Sequence, residues 1–142
     1  MLKKSITYTD FNDNVRTETC YFHLSKAELM EMNFSVEGGM EAAFKRIVKN
    51  DDGGGFIALL KDFILKAYGE KSDDGKAFVK VRNGHRLSED FEQTPMYSEL
   101  FMSLISDENE AINFIKQLLP KDLSDQIDAK MIEDKKAELL EA

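Results

Sequence analysis

The sequence is poor in the residues that build covalent frameworks, membrane anchors and nucleic-acid grips. It has one cysteine, Cys20, two prolines and no apolar run long enough to span a bilayer. A single cysteine forbids an intrachain disulfide, so packing and hydrogen bonds must hold the fold, and a reducing compartment is expected. Met1-Leu2-Lys3-Lys4 passes directly into polar residues, without the apolar stretch of a signal peptide. Basic charge is also short, since 19 Lys and Arg against 27 Asp and Glu leave a net charge of −8. That balance repels phosphate backbones unless basic side chains are segregated on one face. The densest basic groups are Lys45, Arg46 and Lys49, and Lys130, Lys135 and Lys136; the second is interleaved with Glu133, Asp134 and Glu138, as on a solvated helix surface. Neither a nucleic acid nor a membrane is an expected partner.

Catalytic and metal-binding patterns are missing as well. The two histidines, His23 and His85, have no second ligand at zinc-site spacing. Asp10, Asn12 and Asn14 match the first three ligand positions of a calcium-binding loop, but Val15 stands at the sharp-turn glycine and Tyr21 at the bidentate glutamate, so a plain hairpin turn is expected. Gly53-Gly54-Gly55 lacks the Gly-Lys-Ser/Thr of a phosphate loop and follows Asp51-Asp52, which favours a flexible joint. Cys20 and His23 lie three apart in a β-type segment, on opposite faces, so Cys20 reads as a small core residue. No catalytic residue, cofactor or metal is expected.

What is present is a regular alternation of structure signals. A chain of 142 residues with 42% apolar content fits one folded domain. Ile6 and Tyr8 alternate with polar residues, and Val15 to Leu24 places Cys20, Phe22 and Leu24 on one face, which together predict a β-hairpin. Ser25 and Glu28 have capping-box spacing with a Leu24–Leu29 staple, predicting a helix over 25–33. Met40, Phe44, Ile47 and Val48 have helical spacing, and Phe56, Leu60, Phe63, Ile64 and Ala67 form a clear apolar stripe ending at Gly69 as a left-handed cap. Asp74-Gly75 and Asn83-Gly84 bracket a short strand or ribbon over Ala77 to Val81. Ser88 is expected to cap a brief turn through Phe91. Thr94-Pro95 starts a helix that buries Tyr97, Leu100, Phe101, Leu104 and Ile105; Ser106 caps another, carrying Ile112, Ile115 and Leu119 up to Pro120. Only Ser106 separates these two helices, so they should pack as an antiparallel pair. The predicted class is α+β, mainly α: an N-terminal hairpin and about five to six helices. The predicted domain spans 1–123, followed by a charged amphipathic tail over 124–142.

Several segments also resemble one protein family. Ile6-Thr7-Tyr8-Thr9-Asp10-Phe11, Ile64 to Ser72, Asp74-Gly75-Lys76, Phe91-Glu92-Gln93-Thr94-Pro95-Met96-Tyr97-Ser98-Glu99-Leu100-Phe101-Met102 and Phe114 to Pro120 are similar to the tail assembly chaperones of long-tailed phages. The likeness covers about residues 1–123. It implies a non-enzymatic protein that coats the tape-measure protein in the host cytoplasm, helps recruit the major tail (tube) protein and is absent from the mature virion. Self-association stays open. The partner-binding residues expected on this reading are Tyr97, Leu100, Phe101, Leu104, Ile115, Leu119, Leu123, Ile127 and Met131. Seven methionines fit adaptable binding, and excess negative charge would keep apolar patches soluble. The alternative is a structural tail or connector protein retained in the particle.

Overall fold

The computed structural model describes residues 1–35 and 53–119, together with the single positions 39, 42 and 46. The predicted helix around Met40 to Val48, the pair Asp51-Asp52, and everything from Pro120 onward, including the predicted tail, lie outside the described residues. Among the described residues there are a hairpin, further short strands and five helices, which makes the protein α+β and mainly α, as the sequence pattern predicts. The chain divides into two compact units, Met1–Leu24 with Leu60–Leu118, and Ser25–Leu59 with Leu119–Ala142.

In the first unit, β1 (Leu2–Thr9) and β2 (Val15–Phe22) pair antiparallel, with Leu2 opposite Phe22 and Thr9 opposite Val15. Asp10 builds the turn. Its carboxylate accepts the backbone N–H of Asn12 and of Asn14, each at 2.9 Å, and the Arg16 Nε–H at 2.6 Å. Asp13 takes the left-handed conformation, φ 63°, which aspartate tolerates in turns. These bonds, the Asn14 amide first and Arg16 next, hold the Asp10 carboxyl below its ordinary pKa. The carboxylate that heads the calcium-loop likeness is thus committed to an ordinary turn.

Helix α1 (Lys26–Ser35), in the second unit, starts through the expected reciprocal cap. The Glu28 N–H donates to Ser25 Oγ at 3.1 Å, and the Ser25 N–H donates to Glu28 Oε1 at 3.0 Å. Helix α2 (Gly53–Ala67) departs from expectation at both ends. Its first three residues are the glycines predicted as a joint. Glycine costs about 1 kcal/mol per position in a helix interior relative to alanine, but the first turn carries less of that burden, and the apolar stripe that follows anchors the rest. At the other end Gly69 is no left-handed cap, because the chain runs from Ala67 straight into β3 (Tyr68–Lys71). The last helix carbonyls find other donors: Lys80 Nζ reaches Lys66 O at 2.7 Å, and the His23 N–H reaches Ala67 O at 2.8 Å.

Strand β3 pairs with β2, Phe22 opposite Tyr68, and with β4 (Phe78–Val79), giving a sheet in the order β1-β2-β3-β4. A second ribbon joins β5 (Val81–Arg82) to β6 (His85–Arg86) through Asn83 and Gly84, both at positive φ, 53° and 77°, as a tight two-residue hairpin turn requires. Helix α3 (Leu87–Glu92) follows without a side-chain cap. Ser88, predicted to cap it, lies inside the helix and is buried, because β6 leads directly into the first turn and puts Arg86 at the cap position.

Helix α4 (Pro95–Ile105) starts as predicted, with Thr94 Oγ1 accepting the Tyr97 N–H at 3.3 Å and Pro95 in the first turn. Its buried line is Met96, Leu100 and Leu104; Tyr97, Phe101 and Ile105 flank it, half-exposed, where full burial was expected. The stripe is turned because Met96 reaches the sheet and accepts from the Cys20 thiol at 3.4 Å. Ser106 closes this helix, donating to Met102 O at 2.6 Å. The predicted cap role of Ser106 for α5 (Glu108–Leu118) belongs instead to Asp107, whose carboxylate accepts from the N–H of Asn109 at 3.0 Å and of Glu110 at 3.4 Å. α4 and α5 pack on each other, and α4 lies against β1.

Gly69 has no room for a side chain in the sheet. A β-carbon there would sit 2.5 Å from Phe78 Cε1 and 2.6 Å from the Val79 carbonyl oxygen. Because a backbone atom blocks it, Gly69→Ala should lower the unfolding free energy by about 1–3 kcal/mol in urea titration. An unchanged midpoint would contradict this packing.

Candidate functional site

Six aromatic rings run in contact from the centre of the first unit to its surface. Phe22, the last residue of β2, is fully buried and meets Phe114 at 5.2 Å between centroids, Tyr68 at 5.9 Å and Phe91 at 6.1 Å, each edge to face. Tyr68 and Phe91 stack parallel at 4.0 Å. From Phe91 the line continues to Tyr97 at 5.6 Å, and from Tyr97 to Phe101 at 5.7 Å. Each such pair contributes roughly 0.5–1.5 kcal/mol beyond the burial of its area.

The sequence builds this line from five separate elements. Phe22 projects inward by strand alternation, with Tyr68 its cross-strand neighbour. Phe91 sits on α3, one residue before its end, and Phe114 on the buried face of α5. Tyr97 and Phe101 are one turn apart on α4 and therefore share a flank.

Exposure rises along the line. Phe22, Phe114 and Phe91 are between 0% and 2% exposed, Tyr97 and Phe101 are half-buried, and Met102, next to Phe101, is 57% exposed. Lys61 of α2 and Glu92 of α3 form an ion pair of 3.0 Å close to Tyr97. Hydrogen bonding to Glu92 raises the Lys61 pKa, and burial, opposed by Lys61, raises that of the Tyr97 phenol. An apolar end bordered by a charged pair has the layout of a small contact patch: aromatic centre, polar rim.

Of the nine residues expected to bind a partner, Tyr97 and Phe101 lie together in this exposed end. Leu100, Leu104, Ile115 and Leu119 are buried, at 3%, 2%, 1% and 8% exposure. Leu123, Ile127 and Met131 lie outside the described residues. Sequence reasoning passed over Met102, although the signal was there: it stands off the apolar stripe of α4, opposite Leu100, where an apolar side chain has no core to fill. It also missed Phe91 as the link between core and surface, because nothing in a short turn announces which ring it will meet.

Cys20 is 2% exposed, and its thiol lies on Met96. Burial first, and the Glu18 charge second, push its pKa up to about 12, the reverse of an activated nucleophile. The His23 ring lies edge-on to Phe78 at 5.6 Å. Among the described residues no three His, Cys, Asp or Glu side chains gather to hold a metal ion, and no helix is long and apolar enough to cross a membrane.

These features define an α+β protein, mainly α, with a line of aromatic rings that ends half-exposed at Tyr97 and Phe101. The chain belongs to the phage tail assembly chaperone family, whose family model matches residues 1–141. The match continues through the last residues, beyond the 1–123 over which segment likeness could be read. No curated protein and no solved structure matches the chain significantly.

The buried Cys20 thiol and the half-buried Tyr68 phenol make stability depend on alkaline pH. Cys20, ordinarily at 9.0, and Tyr68, ordinarily at 10.0, are both raised to about 12, Tyr68 mainly by burial. The folded state therefore keeps protons that the unfolded chain releases. Their contribution is intact below about pH 9 and is lost as pH rises toward about 12. Unfolding free energy should fall across that window, less steeply in Cys20→Ala. A slope identical in the variant would show that Cys20 titrates normally.

Proposed function

We propose that this tail assembly chaperone holds apolar segments of the tape-measure protein in the host cytoplasm and helps bring tail-tube subunits to them, without chemistry of its own. The supporting observation is the half-exposed end of the aromatic line, Tyr97 and Phe101, with Met102 exposed at the next position of α4. Stacked rings present a large, rigid apolar area at little entropic cost, and the methionine adapts to irregular partners. The net charge of −8 keeps a protein carrying such a patch dispersed. In this reading Tyr97 and Phe101 make first contact. Leu100, Leu104 and Ile115 join only if α4 lifts from the sheet, and Leu119 with the line Leu123, Ile127 and Met131 extends the contact toward the C-terminus. The protein leaves before the particle is complete.

Co-expression with the tape-measure protein and pull-down tests this. Phe101→Ser combined with Met102→Asp should reduce recovery at least tenfold, about 1.4 kcal/mol, while thermal melting shows the variant folded. Unchanged recovery contradicts the patch. Mass spectrometry of purified virions should find the chain absent; stoichiometric amounts would favour a structural tail or connector component.

We further propose that residues 1–123 fold without the segment 124–142. A truncation after Leu123 should melt within a few degrees of the full chain, and a loss above about 3 kcal/mol would make that segment part of the core.

A further inference from the structure

Strand β1 is the outer strand of the four-stranded sheet, and the hairpin fixes which of its backbone groups face away from β2. The Asp10 N–H donates to Asn14 O at 2.8 Å, so that facing pair is a hydrogen-bonded one. Antiparallel ladders alternate bonded and non-bonded pairs. Counting back along the register, Tyr8, Ile6, Lys4 and Leu2 turn their amide and carbonyl groups toward β2, and Thr9, Thr7, Ser5 and Lys3 turn theirs outward. The other side of β2 agrees, since the His23 N–H bonds to Ala67 O and places odd-numbered backbone groups toward β3. Among the described residues no hydrogen bond reaches the outward backbone groups of Lys3, Ser5, Thr7 and Thr9, and all four residues are exposed. β1 contains no proline and no acidic residue, and its two edge lysines, Lys3 and Lys4, are both confined to one end of the strand.

We propose that β1 pairs antiparallel with β1 of a second copy of this chain, about a two-fold axis at Ile6. The parity of the edge decides the register. Outward residues must meet outward residues, so the axis passes through a residue and not between two. Centred on Ile6, Lys3 faces Thr9 of the second copy and Ser5 faces Thr7, so all four outward residues of each copy are bonded. Centred on Ser5, Thr9 loses its partner within the strand and Lys4 faces Ile6.

The Ile6 register also matches the charges. The lysines of the two copies fall at opposite ends of the ribbon, and Lys4 faces Tyr8 of the second copy, whose phenol has the Glu18 carboxylate beside it. The core-facing Ile6 side chains meet at the axis, where a non-bonded pair brings side chains closest. Because α4 lies against β1, α4 and its copy stand on the same face of one continuous sheet, on either side of the axis. Self-pairing is chosen over a foreign strand because this register seats each copy's Lys4 against the other's Tyr8, beside Glu18, and sets no like charges opposite one another.

Light scattering during size-exclusion chromatography of the full chain should give a dimer mass. Thr7→Pro, which deletes an outward N–H and leaves the β2 ladder intact, should weaken dimerisation at least about tenfold. In Ser5→Cys with Thr7→Cys, the two positions lie about 5.5 Å apart between copies, within disulfide reach, and mild oxidation should yield a covalent dimer. Circular dichroism of the reduced variants checks that they fold. A monomer mass for the unsubstituted chain overturns the proposal, even if β1 then pairs with a tape-measure segment. So does a dimer that neither crosslinks through this pair nor weakens with Thr7→Pro. The outcome is independent of the patch on α4.

Discussion

Burial of the Phe22 ring is the constraint on which the first unit depends. It ends β2, faces Tyr68 across the ladder, and is in contact with Phe91 and Phe114 on two different helices. The same unit buries Leu60, Phe63 and Ile64 of α2 and the line Met96, Leu100 and Leu104 of α4. Interiors packed at crystal-like density do not tolerate a vacant ring, so the placement of β3, α3 and α5 is tied to this one side chain. The exposed end follows from the same geometry. Once Met96, Leu100 and Leu104 take the sheet, the helical period leaves Tyr97 and Phe101 on the flank, against Phe91 and half in water.

Much of the fold was legible because it rests on local chemistry. The hairpin, the Ser25–Glu28 cap and the Thr94-Pro95 start each depend on residues a few positions apart. The failures share a different cause. Gly53 to Gly55 read as a joint and Gly69 as a cap, because glycine has those roles when only neighbours matter. In the fold the glycines open α2, whose end is closed by Lys80 and His23 from elsewhere in the chain, and Gly69 is a strand residue kept small by Phe78. Ser88 and Ser106 were misjudged by one or two positions, where strand and helix ends decide which residue caps.

The contact patch was half legible for the same reason. Tyr97 and Phe101 stood out on helical spacing, but spacing alone cannot separate a stripe's centre from its flank, and it grouped them with Leu100 and Leu104. The thiol contact of Met96 with Cys20, 76 residues apart in sequence, turns the helix and separates the two sets.

Hydrogen–deuterium exchange on the chain alone and with the tape-measure protein tests the role of the aromatic line most directly, because it reads both its ends at once. Contact at Tyr97, Phe101 and Met102 predicts that the partner slows exchange within 97–105, while the amides around Phe22 and Leu60 to Ala67 stay the slowest in both states. Protection appearing elsewhere with 97–105 unchanged, or faster exchange around Phe22 on binding, would contradict it.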